Sequence, residues 1–181
     1  ARDGPASPIS TLQFTGDDEV VLGGGDDIVF GLSCGLDTKI HRAALKPSLK
    51  DTEGRSVLLM NTDAVAISCL DIFTRNDLGW DDGVVVFAGR PWAKTLCWRR
   101  HAAGKHILVS PDGAPLASAR VSPCGHFAVT ASIGGAVTVF NLQSGRVKAS
   151  VSLSEPVVVA TFDGTSRNVI VVTVSGRISL H

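Results

Sequence analysis

Three turn-and-strand units recur along this chain at a constant step. Asp81-Asp82-Gly83 leads into Val84-Val85-Val86-Phe87, and Pro123-Cys124-Gly125 leads into His126-Phe127-Ala128-Val129-Thr130. Asp163-Gly164-Thr165 precedes Asn168-Val169-Ile170-Val171-Val172. Val84 and Phe127 stand 43 residues apart, and so do Phe127 and Ile170. Gly, Asn and Asp supply the backbone angles that tight turns need, and short β-branched runs between such turns read as strands. A period in the low forties with four strands per unit is that of a propeller blade. An equivalent run, Glu19-Val20-Val21-Leu22, stands 64 residues ahead of the next unit, so one blade carries an insertion. The aperiodic polar stretch Lys46-Pro47-Ser48-Leu49-Lys50-Asp51-Thr52-Glu53-Gly54-Arg55 supplies it, at about 20 residues in all.

These signals predict an all-β fold, a partial propeller ring of about four blades filling residues 1–181. The blades fall at about 9–41, 65–108, 116–151 and 157–181, with an inserted loop at about 42–62. The third is the cleanest, with strands at Leu116–Val121, Phe127–Ser132, Ala136–Asn141 and Arg146–Val151. The last reads as three strands, Val157–Phe162, Asn168–Val174 and Arg177–Leu180. In the third blade the second and third strands, Phe127–Ser132 and Ala136–Asn141, are nearly continuous apolar runs, as expected where a sheet is covered on both faces. Blades bury their faces only against one another, so the remainder of the ring is expected from the same or another chain. The opening Ala1-Arg2-Asp3-Gly4-Pro5 has neither an initiator Met nor a signal-peptide core, which predicts the interior of a longer polypeptide. No run of 18 apolar residues is present, so no membrane-spanning helix is expected.

Seventeen basic and 17 acidic residues cancel, which argues against a wholly charge-driven nucleic-acid binder. Their distribution is uneven. Residues 1–40 hold seven acids against Arg2 and Lys39, whereas residues 88–150 hold eight basic residues against Asp112 alone. Within the basic half, Arg90, Lys94, Arg99, Arg100 and Lys105 alternate with Trp92 and Trp98 over a stretch free of acids. Basic groups grip phosphates while exposed aromatics stack on unpaired bases, so these residues are the candidate contact for RNA or for a protein neighbour. The bland alternative is a strand whose Arg and Lys snorkel outward.

No catalytic, cofactor or metal site is expected. Cys124 and His126 share one turn but have no recognisable third group to orient them. Asp17-Asp18 and Asp26-Asp27 lack the spacing of a calcium loop, and Gly23-Gly24-Gly25 has no Lys-Ser/Thr behind it. His101 and His106 lack a metal-ligand spacing, and no helix is predicted around them. The four cysteines, Cys34, Cys69, Cys97 and Cys124, are widely spaced and are expected to be free thiols.

Several motifs occur in order: Gly79-Trp80-Asp81-Asp82, then Lys94-Thr95-Leu96-Cys97-Trp98-Arg99-Arg100 and Gly104-Lys105-His106. Val121-Ser122-Pro123-Cys124-Gly125-His126-Phe127-Ala128-Val129 and Phe140-Asn141-Leu142-Gln143-Ser144-Gly145 follow. Leu12-Gln13-Phe14 and Leu22-Gly23-Gly24-Gly25-Asp26-Asp27 extend the pattern toward the start. In this order and spacing the chain resembles the WD repeat-containing protein 36 / U3 small nucleolar RNA-associated protein 21 family, from about Ile9 to His181. The family carries similar D-W-D-N, T-W-x-[WY], S-x-C-G-N-F-[AG] and [YF]-N-[ML]-Q-S-G segments. Gly134-Gly135 stands where a repeat Asp is usual, Phe140 where many repeats have Trp, and His126 where the family has Asn.

The resemblance implies a WD-repeat propeller in a nucleolar, non-enzymatic scaffold of the small-subunit processome that supports pre-rRNA processing. Other proteins of the UtpB subcomplex, U3 snoRNA and pre-rRNA are its implied partners. Asp26, Trp80, Asp81 and Trp98 then read as structural repeat residues: rings packed between sheets, carboxylates tying down turns. The runner-up reading is a WD-repeat adaptor that binds peptides or proteins in another complex, because fold alone does not fix function.

Overall fold

The structure, a computed structural model, describes residues 8–15, 19–24, 28–33, 40–44, 66–73 and 79–181. Four antiparallel sheets follow one another along the chain. Blade 1 holds β1 (Ile9–Phe14), β2 (Glu19–Gly24), β3 (Ile28–Ser33) and β4 (Ile40–Ala44). Blade 2 holds β5 (Ile67–Ile72), β6 (Gly83–Phe87), β7 (Trp92–Cys97) and β8 (Ala102–Val109). Blade 3 holds β9 (Leu116–Val121), β10 (Phe127–Ser132), β11 (Ala136–Asn141) and β12 (Val147–Ser152). Blade 4 has three strands, β13 (Val157–Phe162), β14 (Val169–Thr173) and β15 (Ile178–Leu180). Each sheet is a simple meander in chain order. The first strands β1, β5, β9 and β13 touch in series, which sets them innermost, around a common axis. The result is an arc of a WD-repeat propeller; the described residues do not close a ring.

The continuous apolar runs acquire their meaning here. In β6, Val85 and Phe87 pack in the core shared with blade 1, while Val84 and Val86 pack in the core shared with blade 3. A third core joins Val129, Ala131 and Val137 of blade 3 to Val157, Ala160, Val169 and Val171 of blade 4. With both faces covered, a strand has no polar side, and each fully buried Val contributes about 1.5–3 kcal/mol.

Polar stitches tie the innermost strands together. Asp71 of β5 accepts from the Gln13 side-chain amide of β1 at 2.9 Å and from the Val121 N–H of β9 at 2.7 Å. Gln13 completes the seam by accepting the Ile72 N–H at 2.8 Å. Burial pushes the Asp71 carboxyl up, opposed by the Val121 N–H, the Arg120 guanidinium and the Gln13 amide. One blade further on, the Ala160 N–H donates to Ser118 Oγ at 3.1 Å. The Ser10 hydroxyl likewise donates to the Ile67 carbonyl. Neighbouring blades thus share hydrogen bonds as well as apolar cores.

Several element ends differ from expectation, each for a local reason. β12 starts at Val147 because Arg146 closes the preceding turn, its carbonyl accepting the Asn141 N–H at 2.9 Å. β14 starts at Val169 because Asn168 is held by Asp163, through its side-chain amide at 2.8 Å. β15 starts at Ile178 because the Arg177 carbonyl accepts the Thr173 N–H at 3.0 Å. Strand β4 runs to Ala44, past the expected start of the inserted loop at residue 42; residues 45–65 lie outside the described residues. Trp98, read from sequence as part of a strand, instead opens a 3-10 turn, Trp98–Arg100, which ends at His101 with φ of 47°. Asp82 explains the turn: its carboxylate accepts the N–H groups of Trp98 at 2.6 Å and Arg99 at 3.4 Å, so the chain leaves the sheet there.

Candidate functional site

Blade 2 carries the densest set of functional side chains, and its geometry starts from two adjacent acids. Asp81 is 1% exposed and Asp82 is 4% exposed. Asp81 Oδ2 accepts the Thr95 hydroxyl at 2.6 Å and the Lys105 N–H at 2.6 Å. Thr95 Oγ1 in turn accepts the His106 N–H at 2.9 Å, so one carboxylate locks β7 to β8. The chain passes so close that a Cβ on Gly104 would collide with Thr95 Oγ1 and Asp81 Oδ2. Asp81 Oδ1 is buried without a hydrogen bond, and the Arg100 guanidinium stands 3.8 Å from it. Burial raises the Asp82 carboxyl above the usual range, against the pull of the Trp98 and Arg99 N–H groups. Trp80 beside them is half-buried; its indole N–H donates to the Gly125 carbonyl at 3.2 Å, and the His126 ring packs against it at a tilt of 48°, with centroids 5.1 Å apart. Trp80 therefore links blade 2 to blade 3, while Asp81 ties blade 2 to itself. Asp26, the equivalent repeat acid of blade 1, lies outside the described residues.

The basic, tryptophan-containing stretch does not form one surface. Trp92 is 8% exposed and packs on Phe87 with ring centroids 5.1 Å apart. Trp98 is 3% exposed, and its indole N–H reaches across to Glu19 Oε2 of blade 1 at 2.8 Å. Lys94 is 2% exposed, its ammonium pulled below the usual lysine range by burial and supported by the Asp81 charge. Arg90 is half-buried in the β6–β7 turn, at the opposite end of the blade from Arg99 and Arg100. This corrects the expected constellation: neither ring is open to stack on a base, and Lys94 is not open to a phosphate. The physical reason is that β7 lies between two covered faces, so alternation along it selects blade 1 or blade 3 rather than core or solvent. Arg99, Arg100 and Lys105 are exposed.

Cys124 and His126 also part company. Cys124 Sγ shares a hydrogen bond with Ser122 Oγ at 3.2 Å, while the His126 ring lies on Trp80. Burial pulls the thiol up, yet hydrogen bonds from Ser122, the His126 N–H and Ser166 together hold it below the usual cysteine range. Cys69, Cys97 and Cys124 are free thiols, and Cys34 lies outside the described residues. Among the described residues no group of three or more His, Cys, Asp or Glu converges as metal ligands. An open cleft of about 340 Å³ lies between blades 3 and 4, with an apolar floor that includes Val139, Val151, Phe162 and Val169.

Sequence reasoning missed two tie points. Asp112, in the loop between blades 2 and 3, accepts the hydroxyls of Ser110 at 2.6 Å and Ser132 at 2.5 Å. Ser132 Oγ then accepts the Ala136 N–H at 2.9 Å, so the loop pins the β10–β11 turn. Partial burial pulls the Asp112 carboxyl up, but Ser110, Ser132 and the Ala114 N–H hold it below the usual range. The Pro111-Asp112-Gly113 turn signal was there to read; its partner, 20 residues on, was not. The Gln13–Asp71 seam has no local signal at all.

No protein-family model matches the chain. A search of curated proteins finds U3 small nucleolar RNA-associated protein 21 homolog of Schizosaccharomyces pombe, 29% identical over 114 residues, or 61% of this chain. It also finds U3 small nucleolar RNA-associated protein 21 of Saccharomyces cerevisiae, 23% identical over 103 residues, or 56% of this chain. The matched stretch is 13% of the first relative and 11% of the second. The ordered turn motifs and the two yeast relatives agree: this chain resembles the U3 small nucleolar RNA-associated protein 21 family.

Proposed function

We propose that this chain is a non-enzymatic scaffold segment of the small-subunit processome, serving pre-rRNA processing and small ribosomal subunit biogenesis in the nucleolus. The observation that carries this reading is the similarity to two yeast proteins named for their association with U3 small nucleolar RNA. The chemistry of the blades supports it. Asp71, Asp81, Asp82 and Asp112 are each engaged in holding strands or turns, and exposed Arg99 and Arg100 sit on a turn fixed by Asp82. A rigid frame that spends its buried acids on its own turns presents surface to partners. Those partners are other proteins of the UtpB subcomplex, with U3 snoRNA and pre-rRNA beside them.

Depletion of the protein, followed by blotting of small-subunit rRNA precursors, tests the reading. Unprocessed precursor should accumulate, and re-expression of either the wild type or a Cys124→Ser, His126→Asn double variant should restore processing. Normal processing after depletion would overturn the processome assignment. Rescue by the wild type alone, with the variant equally abundant, would overturn the non-enzymatic one.

A further inference from the structure

The antiparallel meander gives each blade two ends. Turns joining first to second and third to fourth strands lie at one end; turns joining second to third, and one blade to the next, lie at the other. Arg99 and Arg100 lie between β7 and β8, Arg146 between β11 and β12, and Arg167 between β13 and β14, so all four share the first end. Lys105 and Lys148 stand beside them in the outer strands β8 and β12. All six side chains are exposed, Arg100 at 58%.

The described acids of that end in blades 2 to 4 are turned inward or tied to their own turns. Asp81 and Asp82 are buried, and Asp163 is spent on its own turn, accepting from Thr165, Asn168 and the Arg167 N–H. The exposed acid Asp112 belongs to the opposite end. Among the described residues of blades 2 to 4, the exposed charge at this end is therefore of one sign. This rim exposes no Trp or Phe of blades 2 to 4 among the described residues, and the exposed His126 ring at this end is packed against Trp80. Its apolar surface is the open cleft between blades 3 and 4, which Lys148 and Arg167 line. Of the exposed large apolar side chains of blades 2 and 3, Val109 and Ile133 lie at the opposite end and Val147 alone lies near.

We propose that this rim, formed by Arg99, Arg100, Lys105, Arg146, Lys148 and Arg167, docks the sugar-phosphate backbone of RNA and does so without reading base sequence. Guanidinium and ammonium groups meet phosphates by charge-assisted hydrogen bonds that carry no base information. The burial of Trp92 and Trp98 removes the stacking component. The inference deepens the scaffold reading and rests on it for the choice of RNA as the polyanion.

The test uses the full-length protein and two labelled single strands of equal length, oligouridine and a mixed sequence, in anisotropy titrations across a salt series. The wild type should bind both with equal affinity. Replacing all six residues by Ser should weaken binding at least tenfold and flatten the salt slope by about 4, at roughly 0.7 per single-strand phosphate contact. A second variant with Lys at the four Arg positions should keep most of the affinity, which separates lost charge from lost fold. Unchanged affinity in the Ser variant would overturn the proposal. So would a base preference that survives high salt, or displacement of RNA by poly-glutamate as readily as by unlabelled oligouridine, which would assign the rim to an acidic protein. The scaffold reading is judged separately, by whether the wild type co-purifies with processome proteins; that outcome leaves the titration result standing.

Discussion

Blades 2 and 4 are written in the same strand-and-turn grammar, but their surroundings differ. Blade 2 lies between two neighbours, and all five residues of its second strand, β6, are buried. Blade 4 has a described neighbour on one side, and its second strand, β14, alternates buried with half-buried residues. Val158, Val174, Ile178 and Leu180 of blade 4 are all at least half exposed. The difference teaches that a blade's apolar sequence is a demand for neighbours, and that burial here is a property of position in the arc rather than of the strand.

The contrast can be broken or sharpened by mutation. Asp81→Ala in blade 2 strands the Lys105 N–H, leaves the Thr95 hydroxyl only the His106 carbonyl, and leaves Lys94 buried beside no carboxylate; the expected cost is about 3–5 kcal/mol. A shift in chemical-denaturation midpoint reads it, and a loss below about 1 kcal/mol would mean that β7 and β8 hold without their carboxylate. Val85→Ala should cost about 2–3 kcal/mol, and Val172→Ala in the half-buried position of β14 less than about 1. Equal costs would mean that position in the arc does not govern burial energy. Asp112→Ala, which frees the β10–β11 turn from the loop before blade 3, should cost about 1–2 kcal/mol, with faster amide exchange confined to that turn.

The smallest effect is set by pH. Hydrogen bonds from Thr165, Asn168 and the Arg167 N–H, against the upward pull of desolvation, lower the Asp163 carboxyl from 3.8 to about 2. A folded value below the unfolded one stabilises the fold above the unfolded value, and that contribution is lost as pH falls through about 2. The difference in melting temperature between the wild type and Asp163→Ala should therefore shrink across that window. A difference that stays constant would show that the turn is held by something other than the ionised carboxylate.

Much of blade 3 was legible in advance because its turns announce themselves. Pro123-Cys124-Gly125, Gly134-Gly135 and Ser144-Gly145 bracket β10 and β11, whose observed bounds coincide with those read from sequence. Ends decided by a side chain were not legible: Asp82 capturing the Trp98 N–H and Asp163 capturing Asn168 act outside the apolar pattern. The candidate contact stretch failed for a related reason. Lys94 and Trp92 look solvent-facing beside arginines, yet two neighbouring blades cover both faces of β7. Gln13 and Asp71 are 58 residues apart and meet only because first strands gather at the axis.

Affinity purification of the full-length protein from nuclear extract, read by mass spectrometry and RNA sequencing, tests the scaffold assignment most directly. The account predicts recovery of processome proteins together with U3 RNA and precursor ribosomal RNA. Recovery of an unrelated complex without RNA would contradict it and leave the adaptor reading in its place.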